Sequence, residues 1–190
     1  MLGLSLAQVI GGLARWVELR RSVRIGWLTP LLGLLLVIDL TSFWGFAWEA
    51  RGYLAISVPI LLGGVAFASS YYVAAYLVFP REITEETNLD DHFFNVRRIV
   101  VGTVLAANIV ELWLALSIPA IARVILQPIV IARLATFCVL LLGTIFIRGK
   151  KPTAVVLGIL VAWYFLDLMG AWNTAGASRQ SIEQPSQQQS

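Results

Sequence analysis

Asp39, Glu111 and Asp167 are carboxylates set inside long apolar runs, and Arg133 is a guanidinium inside another. Such groups are rare in apolar spans, because an unpaired charge out of water is costly; each needs a proton, a counter-ion or a functional role. At 1.5 Å per helical residue, Asp39 lies about 22 Å beyond Arg24, Glu111 about 20 Å beyond Arg98 and Asp167 about 24 Å beyond Lys151. Arg133, five residues past Pro128 in a run of opposite sense, comes to about the same level of a core roughly 30 Å thick. Asn108, one turn before Glu111, adds an amide to the layer.

Three ionised carboxylates and one guanidinium would leave a net charge of −2 in this layer. That arithmetic favours a bound proton or cation, or access to water. A proton-coupled carrier, a cation path or a pocket for a cationic substrate would each use it. The same groups also act as packing glue between membrane helices, an acid–arginine pair being one form. Spacing alone leaves both readings open.

No other constellation competes. His92 has Glu86, Asp90 and Asp91 nearby, but the spacing matches no ligand set, and the acids have a simpler role. Asn88 fits a helix N-cap, with Asp90 and Asp91 in the first turn where acids complement the helix dipole. Cys138 lies mid-span, far from His92, so no Cys–His or Ser–His pair is built. There is no phosphate-binding glycine loop and no His-Glu-x-x-His motif. The expectation is no catalytic residue, no metal and no cofactor.

The elements that must carry the layer are five apolar stretches: Ile25–Trp48, Tyr53–Phe79, Ile99–Ala122, Ile125–Ile147 and Pro152–Trp172. Mean hydropathy is +0.80 and only 13% of residues are charged, against about 25% in soluble domains. Runs near 20 residues or longer span a bilayer as helices. The expected fold is all-α: a polytopic integral membrane protein with five transmembrane helices and an N-terminal interfacial amphipathic helix. Its parts are residues 1–22, the interfacial helix; 23–172, the five-helix domain; and 173–190, a disordered Gln/Ser-rich tail.

In the N-terminal segment, Leu2, Leu6, Val9, Ile10, Leu13 and Val17 share one face, with Ser5, Gln8, Arg15, Glu18 and Ser22 opposite. That pattern suits a helix lying on the membrane with its apolar side down, or packed against the bundle. Ten basic residues fall before the first stretch or in the connections after the second and fourth. Arg51, Arg123 and Arg179 make three on the other side, and the fourteenth, Arg133, is internal. The positive-inside rule then puts the N-terminus in the cytoplasm and the C-terminus outside. Trp16 and Trp27 fit one interface and Trp44, Trp48, Trp113 and Trp172 the other, while Trp163 is expected to pack between helices.

Small residues recur at Gly64 and Ala68, at Ala66, Ser70 and Ala74, and at Gly102 and Ala106. They allow close helix packing or a homodimer seam. Pro59 would fall about two turns inside its stretch and bend it. The expected partners are the lipid bilayer and a second copy or another membrane protein; with a net charge of +3 and no basic patch outside short loops, nucleic acid is not one.

An amphipathic lead (Leu2–Ser22), a basic stretch before a Trp-containing span (Arg20–Trp27) and the segment Phe79–Arg98 follow one another. That last segment runs from Phe79–Pro80 through acids to Phe93–Phe94 and Arg97–Arg98. This order resembles small bacterial integral membrane proteins with no assigned activity. The resemblance implies a location in the bacterial inner membrane and carries over no functional residue. The expected function is a non-enzymatic membrane protein, alone or as an accessory subunit; the alternative is a proton- or cation-coupled carrier or channel using the acidic layer.

Overall fold

A computed structural model describes residues 2–19, 26–53, 57–80 and 88–183; side chains beyond Gly170, and that of Pro59, lie outside the description. Arg20, Arg21, Arg24, the acidic run Glu82–Glu86 and the side chains of the expected tail therefore lie outside the described residues. Among the described residues seven helices follow in order: α1 Leu2–Leu19, α2 Leu28–Ala50, α3 Val58–Val78, α4 Leu89–Leu116, α5 Pro119–Ile125, α6 Pro128–Phe146 and α7 Lys150–Glu183. The described residues contain no strand. Helices α2, α3, α4, α6 and α7 are long and apolar enough to cross a membrane, which suggests a membrane location.

The helix limits follow local chemistry. Asn88 caps α4, its side-chain oxygen accepting from the Asp90 backbone N–H at 3.1 Å. α3 begins at Val58, so Pro59 stands in its first turn, where its missing N–H costs nothing. The expected bend two turns inside a helix is thus corrected: the described helix starts one residue before Pro59. Pro119 and Pro128 likewise open α5 and α6. The short α5 was read as the end of one span and the start of another.

α2 sits at the centre, packed against α1, α3, α4 and α7, while α4 also meets α3 and α6, and α6 meets α7. Its buried residues include Leu28, Leu32, Leu35, Leu36, Ile38 and Leu40, which leaves few directions open to lipid. Val100, Val101 and Val104 from α4, and Leu157 and Leu160 from α7, complete the core.

Polar staples tie one end of the bundle together. The Thr29 hydroxyl donates to the Leu89 carbonyl at 2.7 Å, and the Leu28 N–H donates to Asp90 Oδ1 at 3.3 Å. Asp90 sits so close to Gly26 that a methyl there would collide with its carboxylate. Arg97 is buried, and its Nη1 donates to the Thr144 and Ile147 carbonyls at 3.1 and 2.7 Å. A cation is thereby held on the free carbonyls that end α6. His92 Nε2 lies 3.0 Å from the Leu77 carbonyl near the end of α3, and Lys150 pairs with Asp91 at 2.9 Å. Arg97 and His92 are thus structural fasteners between helices.

α1 forms over Leu2–Leu19 and packs on the bundle. Ser5, Val9, Gly12 and Trp16 are buried against α2 and α3. Ser5, assigned to the polar face, is wholly buried, while Ile10 and Val17 are exposed. Trp163 is exposed rather than packed between helices.

Candidate functional site

The four helices α2, α3, α4 and α7 converge on Asp39, which is 2% exposed. Its Oδ1 accepts from Asn108 Nδ2 at 2.9 Å and from the Tyr164 hydroxyl at 3.0 Å. Its Oδ2 accepts from the Tyr71 hydroxyl. Asn108 also donates to the Val104 carbonyl at 2.9 Å, which fixes its amide orientation on α4. Three donors from three helices thus cradle one carboxylate. An amide NH₂ can only donate, so Asn108 requires Oδ1 of Asp39 to accept.

Aromatic rings wall the cradle. Phe43 stacks on Phe67 at 4.1 Å, and Phe67 lies 5.0 Å from Tyr71. On the other flank Phe137 meets Tyr164 edge-on at 4.9 Å. These contacts hold the phenols in place and keep the surroundings apolar.

Glu111, half-buried, lies one helical turn beyond Asn108, whose amide donates to Asp39. It forms no hydrogen bond or ion pair among the described residues. Asp39 also has no cationic partner among them. Asp39, buried, and Glu111, half-buried, are thus both without a counter-charge among the described residues.

Arg133 belongs elsewhere. It pairs with Asp167 across α6 and α7, and its Nη2 also approaches the Asp167 carbonyl at 3.4 Å. The two side chains are 37% and 35% exposed, at the margin of the bundle. The single layer expected from depth is therefore two arrangements: a neutral pair, Arg133–Asp167, and an uncompensated one, Asp39–Glu111, with Asn108 joined to the latter.

Tyr71 and Tyr164 escaped the sequence reading. A phenol inside an apolar helix must find a partner when buried, and Tyr164 stands one turn before Asp167, so a signal existed. Tyr71, one of two adjacent tyrosines, offered none: Tyr72 is exposed. Among the described residues no group of three or more His, Cys, Asp or Glu side chains is placed to hold a metal.

No protein-family model matches the chain, and no curated protein or solved structure shows significant similarity to it.

Proposed function

We propose that this chain is a non-enzymatic integral membrane protein that takes up and releases a proton, or a monovalent cation in its place, at Asp39 and Glu111. One observation carries the reading: buried Asp39 and half-buried Glu111, linked through Asn108 one turn before Glu111, have no counter-cation among the described residues. Two anions in such a place repel each other and lose hydration, so one positive charge is held between them. Asp39 is tied to three helices by hydrogen bonds, and Glu111, with none, is the group that loads and unloads. Tyr71, Tyr164 and Asn108 set the position of the Asp39 carboxyl.

The location consistent with this reading is the inner membrane of a bacterium. Arg15, Arg97, Arg98, Arg148, Lys150 and Lys151 gather at the stapled end, and Arg51 and Arg123 lie toward the other. The stapled end would then face the cytoplasm and the C-terminus the outside.

The test is passive proton flux into liposomes carrying the purified chain, driven by a pH step and read with an enclosed pH dye. Flux above that of protein-free vesicles is expected, and Glu111→Gln should return it to that level. A cation in place of the proton would give flux that follows the cation gradient and is lost in the same variant. Absence of both currents, or currents indifferent to Glu111→Gln, defeats the proposal. An accessory subunit would then be the better reading. The turns of α3 from Val58 to Ala66, exposed on every described side, favour it by leaving room for a partner.

A further inference from the structure

We infer that α1 is a sixth membrane crossing, antiparallel to α2, with its Leu2 and Leu19 ends on opposite sides of the bilayer. Contacts at three levels trace this path. The Trp16 ring packs edge-on against Trp27 at the stapled end, centroids 5.0 Å apart. Midway, a methyl added to Gly33 would stand 3.4 Å from Val9 Cγ1. At the far end Leu2 and Gly3 share a depression with Trp44, Trp48 and Arg51. Position rises along α2 as it falls along α1. A helix lying flat on the membrane would meet a spanning neighbour at one level only.

The outward surface of α1 agrees. Between Gly3 and Ala14 its exposed residues are Gly3, Leu4, Ala7, Ile10, Gly11 and Ala14, none of them polar. A surface helix needs a wet, charged face along its length. Here the charged residues, Arg15 and Glu18, fall only in the last turns, beside Trp27 and the gathered basic residues. There they reach the interface. At 18 residues, the helix is about 27 Å long against a hydrocarbon core of about 30 Å, a mismatch that slight local thinning absorbs.

Single cysteines in the full chain test this, in a Cys138→Ser background, with a membrane-impermeant maleimide applied to right-side-out and inside-out vesicles. Gly3→Cys should react from one side only, Glu18→Cys only from the other, and Ile10→Cys from neither. The sites tolerate the change: nothing lies within 4 Å of a Cβ at position 3, and Ile10 and Glu18 are exposed. Gly11→Cys, also with nothing within 4 Å, repeats the mid-membrane measurement independently. Reaction of Gly3→Cys and Glu18→Cys from the same side, or ready labelling at positions 10 and 11, overturns the crossing. Opposite sides in either order support it, and the gathered basic residues place Gly3 outside.

Discussion

Arg133 and Asp167 neutralise one another, and that pairing is what leaves Asp39 and Glu111 uncompensated. Removing Arg133 by substitution with Leu strands one carboxylate, and the stranded group is Asp167 alone. A double-mutant cycle of Arg133→Leu with Asp167→Asn, read by thermal melts in detergent, should show a coupling of about 0.5–3 kcal/mol, as for directly contacting groups. The same cycle with Asp39→Asn or Glu111→Gln should show coupling near zero. Equal coupling to Asp39 would mean that the two arrangements are one network. The residue types of this layer were legible in the sequence because charges inside apolar runs stand out. Their partition was not, because depth counting fixes height along a helix and not direction around it. Asn108 was placed beside Glu111 by the helical repeat, yet its amide turns to Asp39 on α2.

The elements show the same division between what a one-dimensional pattern carries and what it cannot. Five long apolar helices were legible because hydrophobic length is a local property, and the Asn88 cap and the proline-led starts of α5 and α6 follow from backbone chemistry. The placement of α1 was not legible. Its glycines and alanines read as neutral in an amphipathic pattern, yet Gly12 is where the backbone meets the Phe79 ring. The same ring also lies close to α2, where a methyl added at Gly33 would stand 3.0 Å from it. Gly12→Val should therefore overpack the α1–α3 contact and lower stability by about 1–3 kcal/mol. Gly11→Ala, with open space around it, should be neutral or stabilising by up to about 1 kcal/mol through helix propensity. Equal melting temperatures for both variants would show that α1 is not held in this groove.

At the scale of the whole molecule, the bundle is fastened unevenly. Thr29, Asp90, His92 and Arg97 bind α2, α3, α4 and α6 to one another at the stapled end. Toward the other end, α3 from Val58 to Ala66 has no described residue that is even half-buried. A segment with few packing contacts opens at low free energy, while a cross-linked one moves with the whole. Asp39 and Glu111 lie between these regimes, so under the proposed proton uptake the loosely held end is the expected route to Glu111. Distances between paired spin labels in single-chain nanodiscs test the asymmetry. Labels at Leu62→Cys and Ile109→Cys, both exposed, report the α3–α4 separation at the loose end. Val73→Cys and Ile99→Cys, also exposed, report it near the staples. The first pair should give the broader distance distribution and the second a narrow one. Two equally narrow distributions would mean that α3 is held as firmly where nothing packs on it as where Tyr71 and Ala74 are buried, and proton access would then need another path.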